Sequence, residues 1–391
     1  MVSSLTSCFD AASRRPLDPV PLDRPVPLAE VPTPALVVVR TAMERNLARM
    51  VEHLARSGTG LRPHAKMHKT PVVARRQLEL GAIGICCAKV SEAEVMRAAG
   101  IEHILITSPV ASADKMARVV ALAARSEDVR IVVDDAACAR ALGETARNTG
   151  IRLKVLVDLD PRMGRTGVAL GQPALELVRV VAGCDGLQFT GLQQYAGQIM
   201  HLEDAAERRR RAKEIAAAGL ETRDLILADG HDVEVFTGGG TGTFDVDCDE
   251  PGITDIQAGS YVFMDEEYAA IGQGNQPRFE YFEPALFVLV TAISRPRSGA
   301  ITVDGGYKSF ASDSVAPVAR DLSGVRYHFA GDEHGVLQLL EGAPSIALGD
   351  RIRMVTPHCD PTINLHDWMV PVEEDGMVHE LWPVSARGCS W

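Results

Sequence analysis

The chain has no run of about 18 apolar residues, so nothing in it reads as a membrane-spanning helix. It has no basic excess: 40 Lys and Arg face 52 Asp and Glu, and this net charge of −12 argues against a nucleic-acid partner. Its cysteines (Cys8, Cys86, Cys87, Cys138, Cys184, Cys248, Cys359 and Cys389) include no C-x-x-C pair, which removes the usual structural zinc motifs. Scattered through apolar stretches, they read as reduced thiols of a cytoplasmic protein, with Cys86–Cys87 as packed core. The first thirty residues lack the apolar core of a secretory signal. Their prolines predict an extended arm over residues 1–30, either a disordered leader or an arm that wraps a partner subunit.

What is present, from residue 35 onward, is an alternation of β-branched runs and amphipathic helical patterns. Strands are expected at 35–40, 61–66, 83–88, 103–107, 130–134, 153–158, 187–195, 234–238 and 255–259. Such βα alternation implies a parallel sheet with helices outside it. The expected fold is an α/β (β/α)8 TIM-like barrel over residues 31–270, with a doubly wound open sheet as the competitor. Nine strands exceed the eight a barrel needs, so 35–40 is expected to join the C-terminal region. After about residue 270 only β-like runs follow, with turns at Asp304-Gly305 and Asp375-Gly376. Residues 271–391 are therefore read as a mostly antiparallel β domain.

Four segments carry candidate chemistry. Pro63-His64-Ala65-Lys66-Met67-His68-Lys69-Thr70 places Lys66 at the mouth of the first barrel strand, where barrel enzymes work. To act as a nucleophilic amine it must lose a proton, which burial and positive charge from Arg62, His64 and Lys69 would promote. Thr237-Gly238-Gly239-Gly240-Thr241-Gly242 follows a late strand and can close backbone N–H groups on a phosphate, with Gly259-Ser260-Tyr261 as further donors. Arg165, flanked by Gly164 and Gly167, is poised to reach the barrel mouth. Pro357-His358-Cys359-Asp360 reads as a strand in which His358 and Asp360 share a face and Cys359 points away. Imidazole with carboxylate suits a hard or borderline divalent ion, though His-x-Asp alone is more often structural.

Together PHAKMHKT, MGRTGV, QQYAGQIMH, TGGGTG, QAGSYVFMD, GDEHG and HCDPTINLHDW resemble the D-threonine aldolase and D-3-hydroxyaspartate aldolase group. That group belongs with the D-serine dehydratases among the alanine-racemase-like, fold-type III pyridoxal-phosphate enzymes. The likeness runs from about residue 30 to the WPVSARG stretch.

The resemblance implies pyridoxal 5'-phosphate on Lys66, with Arg165 beside its phenolic oxygen and Tyr195 in contact. It implies a phosphate cradle of Gly239, Gly240, Thr241, Gly259, Ser260 and Tyr261. His358 and Asp360 match the metal ligands, for Mn²⁺ first and Mg²⁺ or Zn²⁺ as alternatives. His201 matches a catalytic base, although Gln194-Tyr195-Ala196-Gly197-Gln198 departs from the QAYQG pattern of the aldolases. His-x-Asp in place of the dehydratases' His-x-Cys favours an aldolase, and a homodimer is implied.

The expected activity is retro-aldol cleavage of a D-3-hydroxy-amino acid to glycine and an aldehyde. A dehydratase, a racemase and a non-catalytic cofactor carrier are the alternatives. A carboxylate on the substrate's Cβ would want a cation, and Lys308 or Arg320 could supply it.

Overall fold

The computed structural model describes residues 15–391. The described chain begins with β1 (Val20–Pro27), β2 (Ala35–Val39) and helix α1 (Arg40–Ser57). It then alternates: β3 (Gly60–Leu61), α2 (Pro71–Glu79), β4 (Ile85–Cys87), α3 (Val90–Ala98), β5 (His103–Ile106), α4 (Ala113–Ala123), β6 (Asp128–Val133) and α5 (Ala136–Asn148). The pattern continues through β7 (Leu153–Asp160), a short β8 (Val168–Ala169), α6 (Gln172–Ala182), β9 (Leu187–Gln194), α7 (Ala205–Ala228), β10 (Val235–Gly238), α8 (Phe244–Asp247) and β11 (Asp255–Ile256).

Eight of these strands pair in the order β3-β11-β10-β9-β7-β6-β5-β4, all parallel, with β8 beside β7. A parallel bridge from His64 to Cys86 and an Ile83 N–H to Leu61 carbonyl bond of 2.9 Å join β3 to β4 and close the ring. The period of two sorts the side chains. Cys86, Leu105, Val132, Leu156 and Val235 meet one another inside the ring, whereas Ile85, Cys87, Ile104 and Ile131 pack outward on the helices. The vicinal thiols thus point to opposite faces, both fully buried. The fold is the expected barrel, not the open sheet.

The second sheet is mostly antiparallel. It is built from β12 (Leu286–Arg297), β13 (Ala300–Val303), β14 (Val318–Ala319), β15 (Val325–Phe329), β16 (Gly335–Leu339), β17 (Arg351–Val355), β18 (Trp368–Val372) and β19 (Met377–Pro383). Two further short helices are α9 (Glu266–Ala269) and α10 (Cys359–Ile363). β2 is not a barrel strand: it lies between β12, antiparallel, and β18, parallel.

Two expectations need correction. The described part of the N-terminal arm is not a disordered leader: β1 pairs antiparallel with β19 of its own chain. Its prolines are tolerated because β1 is an edge strand, with one side owing no ladder bond. The rest of the arm, residues 1–14, lies outside the described residues. The second correction concerns His358-Cys359-Asp360, which is not a strand. β17 ends at Val355, His358 is the extended N-cap of α10, and Asp360 lies in its first turn. The Asp265 carboxylate drives this, accepting from the Cys359 N–H at 2.8 Å and from the Tyr268 N–H of α9 at 2.9 Å. Pro361 fits a first helical turn, where its missing N–H costs nothing.

Candidate functional site

Lys66 sits in the turn that follows the β3 edge, at the barrel mouth. Its Nζ lies 3.2 Å from Asp360 Oδ1, so the tight turn joins the motif lysine to the motif aspartate. The charges expected to lower its pKa are engaged elsewhere. Arg62 pairs with Asp255 at 3.2 Å inside the barrel, and Lys69 with the fully buried Glu92 at 3.0 Å. His64 accepts the Lys66 N–H on Nδ1 and meets the Thr107 hydroxyl through Nε2 at 3.0 Å. Burial, with Lys66 adding, holds the His64 ring well below the usual histidine range. The Asp360 carboxylate instead raises Lys66 above the ordinary lysine value, against the pull of burial. The expected depression of Lys66 is therefore reversed: opposite charge at contact distance outweighs desolvation.

Tyr195 immediately follows β9, and the Arg165 guanidinium lies 5.2 Å over its ring. Both act electrostatically on Lys66, which places the three around one mouth. His201 follows the turn after β9 and tilts against Tyr268 at 4.4 Å between ring centres. Its Nδ1 is 3.7 Å from Glu267 Oε1, too long for a hydrogen bond. Burial is the largest influence on its pKa and lowers it below the usual histidine value, against the opposing pull of Glu267.

The glycine loop follows β10. Gly239 adopts φ +67°, and a Cβ on Gly240 would meet Met200 Sδ at 2.8 Å. The Tyr261 N–H donates to Thr241 Oγ1 at 3.1 Å and ties the two halves of the expected cradle. The N–H groups of Gly240, Thr241 and Ser260 have no protein acceptor among the described residues, as an anion-binding nest requires. The Tyr261 ring faces away: it is fully buried, and its hydroxyl accepts from Gln77 at 3.0 Å. These residues fit the phosphate of a phosphate-bearing cofactor.

At the ion motif, His358 Nε2 lies 3.7 Å from Asp360 Oδ2, and its Nδ1 lies 2.8 Å from Asp313 Oδ2. Burial would lower the His358 pKa, but Asp360 and Asp313 raise it overall. Burial likewise opposes ionisation of Asp360, while Lys66 and His358 keep its pKa below the usual value. No group of three or more His, Cys, Asp and Glu side chains forms a ready metal cage among the described residues. The imidazole and carboxylate fit an open site with two protein ligands. Glu267 adds a buried Oε2 that has no hydrogen-bond partner and lies 3.6 Å from His358 Nδ1.

Asp265, Glu267 and Asp313 were not found by sequence reasoning. Glu267 follows the QAGSYVFMD run by two residues, a usable signal, whereas Asp313 sits in a polar loop that carries none. Lys308, one cation considered for a substrate carboxylate, is paired with Glu333 at 2.5 Å.

Comparison with known proteins agrees with this geometry. The alanine racemase N-terminal domain family matches residues 38–245, and the putative serine dehydratase domain matches 285–372. A D-threonine aldolase from Arthrobacter sp. is 39% identical over 95% of this chain and 97% of its own. A 3-hydroxy-D-aspartate aldolase of Paracoccus denitrificans (strain Pd 1222) is 35% identical over 92% and 93%. The crystal structure of the Filomicrobium marinum D-threonine aldolase superposes with a TM-score of 0.90 at 41% identity, covering 95% of this chain and all of that one. The chain belongs to the alanine-racemase-like family, in the group of the D-threonine and 3-hydroxy-D-aspartate aldolases.

Proposed function

We propose that this protein cleaves D-3-hydroxy-amino acids between Cα and Cβ, giving glycine and an aldehyde. The observation that carries the reading is the 3.2 Å approach of Lys66 to Asp360, which puts an amine-bearing barrel mouth against the ion motif. The names of the relatives support the reaction class. Residues 31–270 would form the cofactor barrel and 271–391 the β domain bearing the ion motif, in a cytoplasmic homodimer.

Pyridoxal phosphate, held by Lys66, Arg165, Tyr195 and the 239–241 and 259–261 loops, would supply an electron sink for Cα. A divalent ion on His358 and Asp360, Mn²⁺ in the first instance, would supply Lewis-acid polarisation of the β-hydroxyl. The remaining chemistry belongs to the chain. His201 accepts the β-hydroxyl proton, the oxygen's electron pair closes the aldehyde C=O, and the Cα–Cβ bonding pair is left on Cα, whose protonation gives glycine. Glu267, beside His201, steadies the imidazolium that results. Arg165, whose guanidinium lies over the Tyr195 ring, would balance negative charge on the bound cofactor.

The test is product analysis with D-threonine and D-3-hydroxyaspartate, each with cofactor and Mn²⁺, then with chelator. Glycine and aldehyde should appear in equal amounts from D substrates, with L substrates inert. Chelation, or alanine at His358 or Asp360, should slow turnover by roughly 10³-fold. Ammonia and a 2-oxo acid as main products would replace the aldolase reading with a dehydratase.

A further inference from the structure

Arg208, in the first turn of α7, is a buried cation with no role in the chemistry above. All three of its hydrogen bonds go to backbone carbonyls, and each lies on a different segment. Nε donates to Gly242 at 2.9 Å, Nη1 to Leu202 and Nη2 to Gly272. Gly242 ends the glycine loop, and Leu202 follows His201. Among the described residues no carboxylate forms an ion pair with it, and Asp245 and Asp204 act on it only at longer range. A planar fork with five N–H donors can reach three carbonyls in different directions, which an ammonium on a flexible stem does poorly.

The two loops it joins also touch directly. A Cβ on Gly242 would lie 2.3 Å from the Met200 carbonyl oxygen, and Thr243 Oγ1, whose proton goes to Asp247, lies 3.7 Å from Met200 Sδ. The glycines thus serve two surfaces: open N–H groups on one side, and the 200–202 backbone packed on the other. The segments beside Gly272 and Glu203 are laced as well, through the Gly272 N–H to Glu203 carbonyl bond of 2.9 Å.

We propose that Arg208 is a positioning residue that makes the phosphate cradle and the His201 loop one unit, so that an anion in the cradle orders the proposed base. The inference rests on the cradle and base assignments of the proposed function. With Arg208 in place, a phosphate settling on the Gly240 and Thr241 N–H groups fixes Gly242, and Gly242 fixes Leu202 through the shared guanidinium. The buried positive charge adds attraction for the phosphate dianion.

The test is hydrogen exchange on the full chain, with and without pyridoxal phosphate, for the wild type, Arg208→Lys and Arg208→Met. In the wild type, cofactor should slow exchange of the 198–202 amides by about tenfold. In Arg208→Met the slowing should fall below about twofold, and Arg208→Lys should lie between. Affinity supplies a second readout: Arg208→Met should weaken pyridoxal phosphate at least tenfold while changing phosphate-free pyridoxal less than threefold.

Cofactor-linked slowing that survives unchanged in the variants would overturn the inference, as would equal loss of both ligands. Should Arg208→Met not fold, Arg208→Lys decides alone: undiminished slowing overturns the inference and at least halved slowing supports it. Failure of the underlying assignment looks different, because the wild type itself would then take up no cofactor on Lys66 after borohydride reduction.

Discussion

Asp158, at the mouth end of β7, shows how far a buried carboxyl can be moved by its surroundings. Its oxygens accept from the Gln193 amide and the Thr166 hydroxyl, each at 2.8 Å. Burial nonetheless pushes its pKa up to about 6; those bonds and Arg165 oppose the rise, while Asp134 adds to it. The sign follows from linkage. Below about pH 4 the group is protonated in both states and contributes nothing. Between 4 and 6 the unfolded chain gives up this proton while the native state keeps it, so stability from this group falls as pH rises. Above 6 the full cost of roughly 3 kcal/mol is in place. Denaturant unfolding of wild type and Asp158→Asn from pH 4 to 7 should show the wild type losing stability relative to the variant by about that amount. A flat difference would mean that Asp158 is already ionised at pH 4. Residue type, order and the family resemblance singled out Lys66, Arg165, His201, His358 and Asp360 as candidates. The reversed pKa of Lys66 was not legible, because its controlling carboxylate is 294 positions away in the chain.

Elements hold the turn that carries Lys66. Lys69 is one of few non-glycine residues at positive φ, +51°, and three bonds fix it there. Its N–H donates to Ala65 at 2.7 Å, its carbonyl accepts from Ala386 in the C-terminal tail at 2.9 Å, and its Nζ pairs with Glu92 of α3. Glu92 also accepts the Ala88 N–H at 2.6 Å. Breaking a buried pair from one side leaves an unpaired charge. Glu92→Gln should therefore cost about 3–5 kcal/mol in urea unfolding, and Lys69→Met with Glu92→Leu should recover much of it. Equal losses in the single and double variants would show that packing, not charge, fixes this turn. Most barrel strands were legible to within a few residues from their β-branched runs. β1 was missed because three prolines mask an edge strand, and α10 because alternation in a short motif looks like a strand when the capping aspartate is distant in sequence.

At the scale of the whole molecule, the two units are not cut at one point in the chain. β2 precedes the barrel, yet it lies inside the C-terminal sheet, between β12 and β18. A fragment of residues 271–391 alone would expose facing edges of both strands, with Leu286, Val288 and Met369 bare. It should be recovered as aggregate, and a peptide spanning residues 15–40 supplied in trans should raise the soluble yield severalfold. A soluble, cooperatively melting 271–391 fragment would show that β2 is dispensable to the sheet. The sequence by itself determined the barrel, the β domain after it and the residue types of the site, because alternating apolar runs and short ordered motifs are local properties of the chain. Only tertiary structure decided that β2 inserts between β12 and β18, that Asp265 turns His358 and Asp360 into a helix start, and that Asp360 faces Lys66. Each of these depends on burial and on partners far apart in the chain, and local periodicity does not encode such contacts.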